Sequence, residues 1–400
     1  MIKNRTIGGI LLMSCTAIGG GVLALPTSTV SGGFYPTTIL FIVCWFFMML
    51  SAGYLLEVNL WFKKETNIIS MAEKTIGPIG MLVAWASYVL LLTALLAAYL
   101  TGTSAWLQKL CAEYLQMDLN NHVALCAITI ILATTIYLGT QALDHVNRVF
   151  SIILFTSFTM LIYKSYEYVD LKLLKDGSFK PLLSNMPLFI TSFGSAIVIP
   201  TLVTYLDHDR KNLVKVLIIG CTLPLIMYII WEWVTLGILS IPGSFGLEEL
   251  STKNANGTEV ASSLATITNS PAINILAKSF AISTILTSIF GVSISLYHFL
   301  SDGLSIKTKG RPAILLLLIT FCPSLLLVIF FPTSFDKILN VGGIIVSVLL
   351  GLLPITMVWG GRYVNGYGAN ARFKVPGGKP LLVIASLFFF AVIIVRLFIK

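Results

Sequence analysis

The sequence has little charge for its length. Asp, Glu, Lys and Arg together make up 11% of its 400 residues, against 56% hydrophobic residues. So few charges cannot cover the surface of a water-soluble domain, and a bilayer must therefore solvate much of the chain. The apolar runs have the length of membrane-spanning helices and lack the short alternating pattern of barrel strands. We therefore expect an all-α integral membrane protein.

Several functional signatures are also missing. The six cysteines form no CxxC pair, the four histidines are dispersed, and no paired catalytic carboxylates are evident, so we expect no metal ion and no cofactor. A nucleotide-binding loop and a basic, aromatic-rich patch are absent too, which argues against an ATP motor and against nucleic acid as a partner. If the chain is a transporter, uphill transport would therefore need an ion gradient. A membrane-embedded enzyme or a channel is the alternative to a transporter from a different functional class.

Eleven apolar segments are separated by charged or Gly/Pro-rich connectors. They run at about 7–31, 35–62, 79–108, 122–140, 146–165, 182–206, 213–240, 271–300, 312–331, 338–359 and 380–399. A cytoplasmic N-terminus places 16 of the 26 Lys and Arg residues on the inner side, as the positive-inside rule favours. The C-terminus and the long polar connector 241–269 then lie on the outer side of the membrane.

The first and sixth segments carry the same interruption. Residues 20–26 and 194–200 share one pattern: each begins with a glycine, continues with small and aliphatic residues, and ends with a proline at the same spacing. Paired interruptions of this kind are typical of transporters built from two inverted repeats. We predict a first repeat at 1–180, a second at 181–362, and an additional eleventh helix within 363–400.

A helix that unwinds in mid-membrane frees backbone groups that can bind a polar ligand. The amine and carboxylate of an amino acid would bridge the two breaks, with the carboxylate at the positive end of the second half-helix. The predicted substrate-binding residues at the breaks are Thr16, Ala17, Ile18, Gly19, Gly20, Gly21, Thr191, Ser192, Phe193, Gly194 and Ser195. Close helix packing is the competing explanation for the glycines.

Aromatic side chains near the breaks are candidates for contacts with the substrate side chain. Phe193 adjoins the second break, and Tyr88 and Tyr99 on the third segment could flank a ring. Packing or lipid contact is the alternative role for each of them.

Ionisable residues inside apolar segments are costly and therefore become candidates for proton coupling. These are Glu57, Glu232 and His298. Glu57 could instead pair with a Lys or Arg, Glu232 could face a neighbouring polar group, and His298 could pair with Asp302 one turn on. A charged cluster in the connector after the sixth segment, Asp207, Asp209, Arg210 and Lys211, forms either a gate of ion pairs or a solvated turn.

Taken together in their order, these motifs resemble those of the bacterial aromatic amino acid permeases, the tyrosine- and tryptophan-specific carriers of the hydroxy and aromatic amino acid permease family. The resemblance is carried by residues 3–9, 17–26, 55–58, 191–194, 205–207, 235–237 and 375–380, and so extends over nearly the whole chain.

The resemblance implies a LeuT-type fold of eleven helices in the bacterial inner membrane. It also implies symport of an aromatic amino acid, with tyrosine as the expected substrate, together with a proton by alternating access. Two departures affect the details: Ser195 and Ala196 stand where many relatives carry an aromatic residue and a histidine, and His298 stands where some carry an acidic residue.

Sodium coupling is the alternative within the same class. Hydroxyl groups of Thr284, Thr287 and Ser288 on the eighth segment, together with carbonyls of the first break, could line a sodium site. The sequence makes no prediction about the oligomeric state.

Overall fold

A computed structural model describes residues 2–19, 21–62, 66–138, 140–175, 177–240, 246–252, 257–330, 335–368, 371 and 373–398. The described residues form helices and no strand. The helices are α1 Ile2–Ile18, α2 Gly21–Thr29, α3 Phe34–Trp61, α4 Ile68–Leu115, α5 Asn121–Leu138, α6 Thr140–Ser165, α7 Lys180–Leu183, α8 Met186–Ser192, α9 Ile199–Tyr205, α10 Arg210–Leu239, α11 Leu247–Thr252, α12 Gly257–Thr268, α13 Pro271–Leu304, α14 Arg311–Phe330, α15 Phe335–Val346, α16 Leu353–Tyr363 and α17 Gly378–Phe398. Short 3₁₀ turns occur at Tyr166–Tyr168 and Ser195–Val198, and a π-helical turn at Ser347–Leu352 joins α15 to α16.

The membrane-spanning helices match the eleven predicted segments. Within the described ranges, ten helical stretches are long and apolar enough to cross a bilayer, and the bent pair α1 and α2 brings the number to 11. The prediction of an all-α, multi-pass membrane protein is confirmed. The division into inverted repeats at 1–180 and 181–362 stays a prediction.

The third span begins earlier than its predicted start at residue 79. Asn67 and Ser70 form a reciprocal capping box that starts α4 at Ile68. The helix then kinks at Gly77, whose φ of 83° is open to glycine, and Pro78 follows. The sequence pattern identified only the long apolar part beyond this kink.

The connector 241–269 also contains helical structure. Helices α11 and α12 lie within it, and α12 buries Val260, Ala261 and Leu264. A polar connector with this spacing of apolar residues covers the bundle with an amphipathic helix.

Helix α10 is central to the arrangement of the candidate site. It packs against α1 and α3, while α13 packs against α6 and α4. Asp209 caps α10 by accepting hydrogen bonds from the backbone N–H groups of Lys211 and Asn212. Helix α10 also carries two of the largest fully buried side chains, Tyr228 and Trp231. Side chains of this buried helix reach both the first and the sixth segments.

Candidate substrate and coupling site

The first segment is interrupted where the glycine run predicted. Helix α1 ends at Ile18, α2 begins at Gly21, and the two helices meet at 43°. Gly20 lies outside the described residues. A Cβ at Gly19 would lie 2.7 Å from Ser288 Oγ, and one at Gly21 would clash with the side chain of Ser192. These two glycines therefore permit close approach between segments as well as the break itself.

The sixth segment is interrupted at the predicted position as well. Helix α8 ends at Ser192, a 3₁₀ turn follows at Ser195–Val198, and α9 resumes with Pro200 in its first turn. The N–H of Gly194 donates to the carbonyl of Thr191 at 3.0 Å, which partly satisfies the end of α8. Each interruption thus separates two half-helices.

One side chain joins the two breaks. The hydroxyl of Tyr228 on α10 lies 2.6 Å from the carbonyl oxygen of Ala17 and 2.8 Å from that of Ser192. Ala17 lies in the last turn of α1, and Ser192 is the last residue of α8. Tyr228 is fully buried, and its ring packs against that of Phe193 with centroids 5.2 Å apart. The two breaks therefore meet at a single phenol group.

Most of the predicted substrate-binding residues are buried at this junction. Ala17, Ile18, Gly19, Gly21, Ser192, Phe193 and Ser195 are buried, and Gly194 is half-buried. Tyr99 approaches the first break, with its hydroxyl 3.2 Å from the position of a Cβ on Gly19. The structure thus brings both glycine-containing breaks and one of the two predicted tyrosines together.

Three of the predicted substrate-binding residues have contacts other than those expected at the breaks. Thr16 is exposed, and its hydroxyl donates to the carbonyl of Leu12 one turn earlier. Tyr88 stacks on Phe299 at 4.3 Å and lies 11 positions from Tyr99, or about 16 Å along the helix. The hydroxyl of Thr191 bonds to backbone carbonyls of α8 and α15. Periodicity on a single chain could not show which side of each helix faces the breaks.

A narrow crevice adjoins the junction. It has no room for a water molecule, and its lining residues include Ala17, Phe193, Ser195, Trp45 and Cys221. An amino acid can enter only if the surrounding helices move apart. The junction is closed in this conformation.

Glu232 lies one turn beyond Tyr228 on α10 and is 1% exposed. Its Oε2 accepts a 2.6 Å hydrogen bond from the hydroxyl of Thr29, the last residue of α2. Its Oε1 has no hydrogen-bond partner among the described residues, and no described Lys, Arg or His forms an ion pair with it. A buried carboxyl without a cation partner is costly when ionised.

Glu57 is equally buried but fully paired. Its Oε1 accepts from Nε of Arg362 at 2.7 Å, and its Oε2 accepts from Nη2 of Arg362 and from the N–H of Val375 at 2.7 Å. Nη2 of Arg362 also donates to the carbonyl of Val375. This is the pairing that the sequence left open as the alternative to a coupling role. It ties α3 and α16 to the chain leading into α17.

His298 lies on an exposed face of α13, in edge contact with the ring of Tyr297. The local pair with Asp302 does not occur among the described ion pairs, and Asp302 is exposed as well.

The tryptophan/tyrosine permease family model matches residues 2–396. Similar proteins include the tyrosine-specific transport system 1 of Haemophilus influenzae, 30% identical over 95% of this chain and 94% of the relative. The tryptophan-specific transport protein of Shigella flexneri is 25% identical over 96% of this chain and 92% of its own length. The low affinity tryptophan permease of Escherichia coli K12 is 24% identical, covering 98% and 95%.

This chain belongs to the tryptophan/tyrosine permease family. Its relatives are transport proteins and permeases rather than enzymes. Membership supports import of aromatic amino acids, and an amino acid is thus the small-molecule substrate of this permease. The predicted resemblance is confirmed over the whole chain.

The N-terminal end of this permease carries an exposed ion pair between the first and sixth segments. Nη1 of Arg5 on α1 lies 2.7 Å from Oδ2 of Asp207, which follows α9. Asp209 of the same predicted cluster instead caps α10. The cluster therefore serves both as a helix cap and as a contact between segments.

The hydroxyl groups considered for sodium donate to carbonyls of their own helix. Thr284 donates to Phe280, Thr287 to Ser283, and Ser288 to Thr284, at 2.7 to 2.8 Å. Ser288 is the one that abuts Gly19 of the first break. Each oxygen keeps lone pairs that a cation could use.

A larger open cavity of about 700 Å³ lies between α4, α12 and α13. It is edged by Lys278 and Glu113, which form an ion pair at 3.0 Å. None of the residues predicted for the substrate lines it.

Tyr228 is the residue at the junction of the two breaks that sequence reasoning missed. A tyrosine in an apolar helix reads as a packing residue, and its two partners are backbone carbonyls 211 and 36 positions away. The only available signal was its place one turn before Glu232.

Proposed function

We propose that this permease imports an aromatic amino acid, with tyrosine as the substrate, by proton symport with alternating access. The bacterial inner membrane is the proposed location, with the N-terminus in the cytoplasm and the C-terminus in the periplasm. The two tyrosine-specific transport systems of Haemophilus influenzae, at 30% and 27% identity, support the choice of tyrosine. Proteins named for tryptophan match over similar lengths, so tryptophan is the competing substrate.

The convergence of the two helix breaks is the observation that supports substrate binding at this site. Two helix ends offer carbonyl oxygens to one point, and a third half-helix, α2, begins beside them at Gly21. Helix C-termini favour an ammonium group and helix N-termini a carboxylate. The arrangement suits the two charges of a free amino acid and agrees with a five-plus-five inverted repeat of the LeuT type.

Glu232 is the proposed proton carrier. Its carboxyl contacts the end of α2 through Thr29, so its protonation is linked to the position of the outer half of the first segment. When the carboxyl carries a proton, the bond can reverse, because the hydroxyl of Thr29 also lies 3.3 Å from the carbonyl of Pro26. When the proton leaves, Oε1 needs water or a cation. Release of the proton thus requires the site to open.

Uptake into proteoliposomes tests the proposal. Purified permease is reconstituted, and entry of labelled tyrosine is measured with an inward proton gradient in sodium-free buffer, then with an inward sodium gradient at equal pH. We expect accumulation with the proton gradient and competition by unlabelled aromatic amino acids. If accumulation requires sodium instead, sodium rather than the proton is the coupling ion. Failure of every aromatic amino acid to enter or compete would remove the substrate assignment.

A further inference from the structure

We infer that Tyr228 is a positioning residue whose hydroxyl competes with the substrate ammonium for the carbonyl groups of Ala17 and Ser192. The inference rests on the proposed function, since it takes an amino acid as the ligand of the two breaks. It adds a residue on the seventh span to a site predicted from the first and sixth.

The two carbonyl groups form an acceptor pair that a phenol satisfies incompletely. A tyrosine hydroxyl has one hydrogen, whereas the two acceptor oxygens lie 2.6 and 2.8 Å from it. Only one of them can receive a well-directed hydrogen bond at a time. An ammonium group has three hydrogens and a positive charge, and can serve both acceptors.

The acceptors are the negative ends of helices. Ala17 lies in the last turn of α1 and Ser192 ends α8, where carbonyl groups lack intrahelical partners. Two such ends at one point attract a cation more strongly than a neutral donor. Tyr228 therefore satisfies groups whose better partner is charged.

The crevice provides the place from which a ligand would approach. Ala17 and Phe193 both line it, and the ring of Phe193 contacts that of Tyr228. Ring contacts of Tyr228 with Phe41 and Phe193 keep the phenol aimed at the breaks. An amino acid entering here meets the two carbonyl groups only after the Tyr228 hydroxyl has turned away.

Competition has a consequence that a purely structural hydrogen bond does not have. If the hydroxyl bonds to the carbonyls only when the ammonium is absent, its removal destabilises the unbound form and leaves the bound form nearly unchanged. Affinity for the substrate should then rise. A bond that persists in both forms would stabilise both equally and leave the affinity unchanged.

Binding to the Tyr228→Phe variant tests this inference. The dissociation constant for tyrosine is measured by calorimetry on purified permease, beside that for 3-(4-hydroxyphenyl)propanoate, which lacks the amine. We expect tyrosine to bind about 5- to 10-fold more tightly than to the unaltered permease, the effect of one buried hydrogen bond. Binding of the deaminated compound should change less than about twofold.

Tyr54→Phe is the matched control. Tyr54 is also fully buried, and its hydroxyl has no hydrogen-bond partner in the described part of the chain. This variant should leave both dissociation constants unchanged. A gain in affinity there too would assign the effect to the loss of any buried hydroxyl and overturn the inference.

A second variant keeps the test decisive if Tyr228→Phe does not fold. 3-Fluorotyrosine placed at position 228 by nonsense suppression has a more acidic phenol and is a stronger donor, so tyrosine should bind about two- to threefold more weakly. The inference is overturned if the dissociation constant for tyrosine is unchanged or changes in the opposite direction. It is also overturned if the dissociation constants of both ligands change equally. If unaltered permease binds no aromatic amino acid, the proposed function itself fails, which the unaltered protein alone reveals.

Discussion

Glu57 and Glu232 are the same residue type with the same burial and opposite surroundings. Glu57 is 0% exposed and is held by both nitrogens of an Arg362 fork and by a backbone N–H. Glu232 is 1% exposed and is held by one threonine hydroxyl. Burial alone therefore does not distinguish a structural carboxyl from a coupling one.

The difference teaches what each carboxyl can do during transport. A bidentate partner neutralises Glu57 and fixes it as part of the architecture, since a lost partner would leave a bare charge in the interior. Glu232 has no cation partner among the described residues, so a proton is what would neutralise its charge there. Glu57 holds the chain leading into α17 to the bundle, and Glu232 is the carboxyl proposed to carry the proton.

The largest expected effect follows from removing the partner of Glu57. Arg362→Ala leaves a buried carboxylate unpaired and should lower the free energy of unfolding by about 3–5 kcal/mol. The check is thermal unfolding in detergent, together with the yield of folded protein. The double variant Glu57→Gln/Arg362→Met should recover part of the loss. Unchanged unfolding of the single variant would show that the pair has no structural role.

Glu232→Gln should spare the fold and remove coupling. The amide fills the same volume and keeps an oxygen for Thr29, so we expect unfolding to shift little, while tyrosine accumulation driven by a proton gradient falls at least tenfold, about 1.4 kcal/mol. Exchange of tyrosine across the membrane without a gradient should persist. Glu113→Gln, at an exposed ion pair, is the control. A loss of stability equal to that of Arg362→Ala would contradict the contrast between the two carboxyls.

Thr29→Val should weaken the link between Glu232 and the first segment. The change keeps the shape and deletes the hydroxyl that contacts Oε2, so gradient-driven uptake should fall about 5- to 10-fold. Thr235→Val on α10 is the matched control, because its buried hydroxyl donates to carbonyls of its own helix. Initial rates of uptake at fixed pH measure both variants. An equal loss of uptake in both variants would indicate a general packing effect rather than a specific link between Thr29 and Glu232.

The smallest effect is expected at the exposed pair of Arg5 and Asp207. Its side chains are 46% and 79% exposed, so solvent screens the charges, and the coupling energy should stay below about 1 kcal/mol. A double-mutant cycle with Arg5→Gln and Asp207→Asn in thermal unfolding measures it. A coupling energy as large as that of the Glu57–Arg362 pair would contradict the view that burial determines how much an ion pair contributes to stability in this protein.

The spans and both breaks could be predicted from the sequence, because their signals are local. A run of about 20 apolar residues has the length of a bilayer crossing, and a glycine run or Phe193–Gly194 followed by proline weakens a helix at that point. The capped start of α4 at Ile68 was missed, because its first turns are short and precede the kink at Gly77.

The roles of the carboxyls could not be predicted, because their partners are distant in sequence. Arg362 lies 305 positions from Glu57, and Thr29 lies 203 positions from Glu232. Tyr228 was overlooked for the same reason, since its partners are backbone carbonyls, which every residue has. Helix faces also decided against Thr16, whose side chain turns outward although its neighbour Ala17 faces the junction.

Proton entry coupled to tyrosine entry is the most direct test of Glu232 as the carrier. A pH-sensitive dye enclosed in proteoliposomes reports the lumen after tyrosine is added outside, in sodium-free buffer. Unaltered permease should acidify the lumen as tyrosine enters, and Glu232→Gln should admit tyrosine down its concentration gradient without acidification. Equal acidification per tyrosine by both proteins would contradict the account and return the search to other groups.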